Sequence, residues 1–138
     1  MPRFVVHEHH ASHLHWDLRL ETGGVLVSWA VPKGPSMDPA HKRLAVRVED
    51  HELSYIDFEG TIEEGSYGAG EVVIWDTGEF RSLSGSVEEG KLEMEIMGGK
   101  LRGAFALFCM KGKQKEWLLI KKRDGYEERG FILRQVLK

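Results

Sequence analysis

The chain has 138 residues, a formal net charge of −3 and a single cysteine, and 41% of its residues are hydrophobic. This length suits one domain, residues 1–138, which can bury about two-thirds of its unfolded surface without disulfides. The mild acidity argues against a protein that coats nucleic acid through a uniformly basic surface. One cysteine excludes a disulfide framework, and no apolar run has the length of a membrane span or a secretory signal. We therefore expect a cytoplasmic protein with no membrane partner.

The most unusual segment is HHASHLHWDLR at positions 9–19, which holds four imidazoles, a carboxylate and a guanidinium. Polar residues alternate with apolar ones there: His13, His15, Asp17 and Arg19 occupy one parity, and Leu14, Trp16, Leu18 and Leu20 the other. This period of two predicts a strand with an apolar core face and a polar face whose donors recur about every 7 Å. Imidazole and carboxylate together suit Mn²⁺, Zn²⁺ or Fe²⁺, and the guanidinium suits a phosphate or carboxylate. The alternative is a half-exposed strand that is only rich in histidine.

A second predicted strand lies in RLAVRVEDHELSY, positions 43–55, where apolar residues alternate with charged ones. His51 and Tyr55 are four residues apart and would share a face if the extended conformation continues. Both side chains can donate hydrogen bonds to phosphate oxygens, and an imidazole can also transfer protons near neutral pH. Taken alone, a histidine after Glu49 and Asp50 is typical of a solvated turn. A functional interpretation of His51 therefore depends on the histidine-rich segment at positions 9–19.

The remaining segments also favour β structure. EVVIWD, KLEMEI, GAFALFCM and EWLLIKK are predicted strands, and 16 glycines provide for many tight turns. Many short strands at this spacing predict a mainly β fold, a compact antiparallel β-barrel that is closed or nearly closed. One or two short helices are expected, near SMDPAHK and within DGYEERG. Trp29, Trp75 and Trp117 are predicted to pack in the core rather than to stack on bases.

A family resemblance follows from FVVHEHHASHLHWDLRLE and from GGVLVSWAVPKGPSMDPAHKRLAVRVEDHELSYIDFEGTIEEGSYGAGEVVIWDTGEF. These runs, with WLLIKKRD near the C-terminus, resemble the 3′-phosphoesterase domain of bacterial DNA ligase D. The resemblance implies a Mn²⁺-dependent enzyme that removes a 3′-terminal ribonucleoside and then the 3′-phosphate, leaving a 3′-hydroxyl. It also implies DNA or RNA-terminated DNA 3′ ends as substrates and a separate ligase or polymerase as partner. We expect a stand-alone domain, and the short stretch before Phe4 favours the phosphatase step over ribonucleoside removal.

The resemblance also implies roles for particular residues. It assigns the metal ligands to His9, His15 and Asp17, with Mn²⁺ as the expected ion and Zn²⁺ or another divalent ion as the alternative. It assigns phosphate binding to Arg19, His51 and Tyr55, with Lys33 as a weaker candidate, and catalysis to His51, Arg19, Tyr55, Arg43 and Glu49. His7, His10 and His13 occupy positions where relatives are expected to have other residue types, so they are not expected to be ligands. His13 is nevertheless directed at the site by its parity and could replace His9.

Two other classes of function fit the residues. The order His15, Asp17 and His51 matches the facial triad of a non-haem Fe(II) oxygenase, which would make His51 a metal ligand. A non-catalytic module that binds DNA ends is the second alternative. For either DNA-related function, local cations must offset the acidity of the chain, and Lys33, Lys42, Arg43 and Arg47 are the candidates near the site.

Overall fold

The computed structural model describes residues 1–66 and 68–137, which contain nine strands and one 3-10 helix. The strands are β1 (Arg3–His10), β2 (Leu14–Thr22), β3 (Val25–Val31), β4 (Arg43–His51), β5 (Gly60–Ile62), β6 (Gly70–Ser86), β7 (Lys91–Gly98), β8 (Arg102–Cys109) and β9 (Glu116–Lys121). The 3-10 helix, Leu53–Asp57, lies between β4 and β5. The mainly β class and the strands predicted from alternation are confirmed. Within the described ranges, no helix has the length and apolarity needed to cross a membrane.

Eight of the strands form a closed antiparallel barrel. Their order is β1-β2-β3-β4-β9-β8-β7-β6, and β6 pairs again with β1 to complete the ring. β6 is 17 residues long, so its first half pairs with β1 and its second half with β7. The short strand β5 adds to the first half of β6 on the side away from β1. The predicted closed barrel is therefore confirmed.

The interior of the barrel is filled by the apolar parity of each strand. On β2, Trp16, Leu18 and Leu20 enter the core, whereas the residues between them point to the outer face. Trp29, Trp75 and Trp117 are all buried, which confirms their predicted packing role, and the rings of Trp29 and Trp117 meet edge to face at 5.3 Å. The burial of each large apolar side chain contributes about 1.5–3 kcal/mol to the stability of this core.

The predicted positions of the short helices are wrong. In SMDPAHK, the Ser36 hydroxyl accepts from the backbone N–H of Asp38, and the Asp38 carboxylate accepts from that of Ala40. In DGYEERG, the side chain of Glu127 accepts from the backbone N–H groups of Asp124 and Gly125. Such local side-chain bonds compete with helical backbone bonds, so both segments form turns. The helix forms instead at Leu53–Asp57.

A layer of chain covers one part of the outer barrel surface. Ile56 of the 3-10 helix packs with Val5 and Leu26, which point outward from β1 and β3, and Tyr55 and Ile74 pack against this small cluster. The outer face of β1–β3 is therefore partly shielded from solvent. This covering segment, residues 52–66, 68 and 69, creates the cleft described below.

The stretch after β9 packs against one end of the barrel. Phe131 and Leu133 contact the core, and the backbone N–H groups of Val136 and Leu137 donate to the Glu8 carboxylate at 2.7 and 2.8 Å. Glu8 is fully buried on the core side of β1. This arrangement fixes the chain beside the strand that also carries His9.

Candidate active site

A cleft of about 270 Å³ lies between the outer face of the barrel and the covering segment. Its polar lining consists of His9, His15, Asp17, Arg19, His51 and Tyr55. The outer face of a barrel is usually solvated, yet Asp17 and Arg19 are only 4% and 3% exposed. They are buried because the covering segment lies over them. The interaction between these charges is therefore screened much less than at an open surface.

Three potential metal ligands meet at one end of the cleft. His9 and His15 are directly opposite each other in the β1–β2 pairing, and Asp17 follows two residues later on the same face of β2. One ligand atom from each residue lies within 4.8 Å of the other two. Two imidazoles and a carboxylate form a donor set that suits Mn²⁺, Zn²⁺ or Fe²⁺.

The outer nitrogens of the two imidazoles are held by backbone carbonyls. His9 Nε2 donates to the carbonyl of Gly68 at 2.8 Å, and His15 Nδ1 donates to that of His13 at 3.1 Å. The other nitrogens, His9 Nδ1 and His15 Nε2, therefore face the Asp17 carboxylate at 3.4 and 3.2 Å. A neutral ring presents a lone pair there, and a protonated ring donates a hydrogen bond. Carbonyl partners of this kind orient histidine ligands in metal sites, so these residues fit a bound divalent ion.

The charges and hydrogen bonds around the three potential metal ligands keep the Asp17 carboxylate ionised. Burial alone would raise the pKa of Asp17, but hydrogen bonds from His15 and His9 and the charge of Arg19 outweigh it and hold that pKa well below its usual range. Burial lowers the pKa of His15, but the hydrogen bond and charge of Asp17 outweigh burial and raise it. A cation at the cluster would compete with the proton on His15.

Arg19 occupies the middle of the cleft, where it forms hydrogen bonds with side chains of several described residues. Its Nε donates to His7 Nδ1 at 3.0 Å, and its Nη1 lies 3.0 Å from Ser28 Oγ and 3.1 Å from His51 Nδ1. Its Nη2 donates to Asp17 at 3.3 Å. The guanidinium is thereby held in a fixed plane between the potential metal ligands and His51.

His51 and Tyr55 form the other end of the cleft. His51 Nδ1 lies 3.1 Å from Arg19 Nη1, which only donates, and 3.1 Å from the Glu49 carbonyl, which only accepts, so the two contacts favour opposite tautomers of the neutral ring. Burial and the charge of Arg19 lower the pKa of His51, so the neutral ring is favoured over the protonated one. The Tyr55 ring lies 4.8 Å from that of His51 and 5.0 Å from the Arg19 guanidinium carbon. Both residues can donate to an anion held beside Arg19.

The structure brings His51 and Tyr55 together differently from the sequence prediction. The extended conformation ends at His51, and Tyr55 lies on the 3-10 helix that folds back over the barrel. In addition, the β3–β4 pairing shifts register between Leu26 and Ser28, so β4 contains an extra residue before His51. Such a bulge reverses the face to which the following side chains point. His51 consequently joins the outer face, whereas Arg47 contacts the core residue Trp29.

Three predicted site residues lie outside the cleft lining that the described residues form. Arg43 Nε donates to the carbonyl of Gly34 at 3.1 Å, and Lys33 is exposed in the turn after β3. The Glu49 side chain is exposed, and it is its backbone carbonyl that lies near His51. The functional roles of these three residues remain predictions.

Among the additional histidines, His13 is exposed and contributes only its backbone carbonyl to the ligand cluster. His51 contacts Arg19 rather than the cluster of ligand atoms, which offers no support for the facial triad of an oxygenase. Sequence reasoning missed His7 and Ser28, which hold Arg19 and lie outside the cleft lining that the described residues form. Strand register could have identified Ser28, because Ser28 is paired directly with Arg19 across β2 and β3.

The chain is similar to known proteins over nearly its whole length. Residues 7–109 match the family model described as the DNA ligase D 3′-phosphoesterase domain. The chain is 50% identical over 141 residues to the multifunctional non-homologous end joining protein LigD of Pseudomonas aeruginosa, an alignment that covers 99% of this chain and 17% of that protein. It is 44% identical over 131 residues to LigD of Mycolicibacterium smegmatis, and this alignment covers 88% of this chain and 17% of that protein. It is 40% identical over 130 residues to LigD of Mycobacterium tuberculosis, and this alignment covers 93% of this chain and 17% of that protein.

Proposed function

Because the chain belongs to the DNA ligase D 3′-phosphoesterase domain family, we propose that it heals the 3′ ends of DNA. The reaction removes a 3′-terminal phosphate, and also a 3′-terminal ribonucleoside, to leave a 3′-hydroxyl that can be ligated or extended. Since the chain spans 17% of the length of these relatives, the proposal concerns this chemistry alone. A DNA ligase or polymerase would act on the product.

The observation that carries the proposal is the order of groups along the cleft. His9, His15 and Asp17 offer ligand atoms at one end, and Arg19, His51 and Tyr55 offer donors at the other. A phosphoester bound between them would meet a cation on one side and fixed hydrogen-bond donors on the other. This is the arrangement that phosphoryl transfer requires, because positioning and electrostatic stabilisation supply most of its catalysis.

In the proposed site, His9, His15 and Asp17 would hold Mn²⁺, with Zn²⁺ as the alternative. When bound, the ion supplies Lewis-acid stabilisation of phosphoryl oxygens. Arg19 orients the phosphoryl group, and the Tyr55 hydroxyl and His51 Nε2–H donate to its oxygens. In the phosphatase step, a P–O bond to water forms and the bond between phosphorus and the 3′ oxygen breaks. The attacking water loses one proton and the 3′ oxygen gains one, and we assign the supply of the second proton to His51, which would act from its protonated ring.

A gel assay tests the proposal. The substrates are labelled primer-templates that end in a 3′-phosphate or a single 3′-ribonucleotide, and metal-stripped protein receives Mn²⁺, Zn²⁺, Mg²⁺ or EDTA. We expect Mn²⁺-dependent conversion to a 3′-hydroxyl end, lost in Asp17→Asn and retained in His13→Ala, because the His13 side chain lies outside the cluster.

Two results would contradict the proposal. Folded protein that converts neither substrate with any metal, yet binds the DNA end, would favour the non-catalytic end-binding module. Oxygen consumption that depends on Fe²⁺ would favour the oxygenase instead.

A further inference from the structure

His7 is a fully buried histidine on the same face of β1 as His9, but it lies outside the cluster of ligand atoms. Its Nε2 lies 3.1 Å from the carbonyl of Phe58, and its Nδ1 lies 3.0 Å from Arg19 Nε. A carbonyl only accepts and a guanidinium only donates, so both contacts specify one tautomer: the proton is on Nε2 and the lone pair on Nδ1. Both ring nitrogens are therefore satisfied by fixed partners.

We propose that His7 is a positioning residue that fixes the Arg19 guanidinium for phosphate binding. It connects Arg19 to the covering segment through Phe58, whose ring stacks on that of Tyr55 at 4.8 Å with 11° between the planes. The His7 ring also meets the Tyr55 ring at 5.2 Å. One side chain thus sets the relative placement of Arg19 and Tyr55, the two groups that the proposed function assigns to phosphate.

The other contacts of Arg19 explain why such a residue is needed. Asp17 and His51, which also bond the guanidinium, would both change partners during the proposed reaction: Asp17 towards a cation and His51 towards the phosphoryl group. His7 and Ser28 keep their contacts throughout, since neither lines the cleft. Preorganised donors cost no reorganisation when charge develops, and this is the source of their catalytic value.

A matched pair of variants separates hydrogen bonding from packing. His7→Gln supplies both an acceptor for Arg19 and a donor for Phe58, whereas His7→Met has similar size and flexibility but supplies no donor and only a weak acceptor. The probe is inorganic phosphate, titrated calorimetrically into Mn²⁺-loaded protein, together with Mn²⁺ affinity and kcat/KM on a 3′-phosphate primer. His13→Met is the control for the loss of a histidine outside the cleft.

We expect His7→Met to weaken phosphate binding and to lower kcat/KM by about tenfold or more, the loss typical of one hydrogen bond to a charged group. Mn²⁺ affinity should stay within about twofold, and His7→Gln should restore most of the phosphate affinity. A purely structural role would not separate phosphate from Mn²⁺ binding. If His7→Met does not fold, His7→Phe provides a second apolar replacement that keeps the ring.

Equal phosphate affinity in His7→Gln and His7→Met would overturn the inference, whether both match the wild type or both are weakened. The inference depends on the proposed function for its substrate, and the two can fail separately. Wild-type protein that binds phosphate but leaves 3′-phosphate ends intact would refute the function, while the matched pair would still test His7. Wild-type protein that binds no phosphate would overturn both.

Discussion

Replacing Asp17 by Asn should remove metal binding and weaken the fold at the same time. Asp17 is the one anionic ligand of the cluster, and it also pairs with the buried guanidinium of Arg19. The substitution keeps the size of the side chain but removes its charge. Buried Arg19 then loses the charge of Asp17, and the two imidazoles lose the carboxylate that completes the donor set.

The expected sizes follow from the contacts. Breaking a buried ion pair costs about 3–5 kcal/mol, and the remaining amide oxygen of Asn places this case near about 3 kcal/mol. For 138 residues, the entropy of unfolding near the midpoint is about 0.29 kcal/mol/K, so Tm should fall by about 10 °C. Metal at about 100 times its Kd stabilises the wild type by about 2.7 kcal/mol, or about 9 °C, and the variant should show no such shift.

Calorimetric melting with and without Mn²⁺ measures both effects. Asp76→Asn is the matched control, because Asp76 is equally buried but accepts from the backbone N–H groups of Gly99, Lys100 and Leu101, away from the cleft. This control should have a lower Tm than the wild type but should keep the rise in Tm that Mn²⁺ binding causes. An unchanged metal shift in Asp17→Asn would refute the placement of the metal at this cluster.

Three further predictions concern buried polar groups. Burial and the charge of Arg19 lower the pKa of His7 from 6.5 to about 4, so only the unfolded chain binds this proton at intermediate pH. Stability should therefore fall as the pH drops from 6.5 towards 4, by up to about 3 kcal/mol, and acid titration of His7→Gln should show a flatter profile. Glu8→Gln should lower the free energy of unfolding in urea by about 3 kcal/mol, because an NH₂ donor replaces one of the two carboxylate oxygens, each of which accepts from a backbone N–H group. Lys121 is buried and paired with Asp124 at 2.6 Å; Lys121→Met should change stability by about 1 kcal/mol or less, whereas Asp124→Ala should cost about 3 kcal/mol, because only the second leaves a buried charge unpaired.

The sequence predicts those parts of the structure that depend on local pattern. Alternation from His13 to Leu20 identifies both faces of β2, because each side chain of a strand points opposite to its neighbour. His9, His15 and Asp17 then follow from one hairpin, whose two strands pair residue by residue. Closure of the barrel depends instead on β6 pairing with β1 across more than sixty residues of chain, and no local pattern specifies that partner.

The rest of the site depends on irregular structure that alternation cannot show. A bulge moves His51 to the outer face, and a 3-10 helix, rather than a continued strand, returns Tyr55 to the cleft. Arg43 and Arg47 precede the bulge, so their shared parity with His51 in the sequence does not place them beside it. The burial of Arg19 likewise depends on the covering segment, whose packing on Val5 and Leu26 is a tertiary contact.

The Asp17–Arg19 contact links the two halves of the proposed site through charge. These two residues carry opposite charges and cancel, and neutral imidazoles add none, so the cleft by itself has little attraction for an anion. A divalent cation held by the cluster would give the cleft a charge of about +2, opposite to that of a terminal phosphate, which is about −2 at neutral pH. It would also draw on the same carboxylate that holds Arg19 Nη2, which leaves the guanidinium more strongly attracted to the phosphate. His7 and Ser28 would then be the contacts that keep Arg19 in place, while Asp17 and His51 change partners.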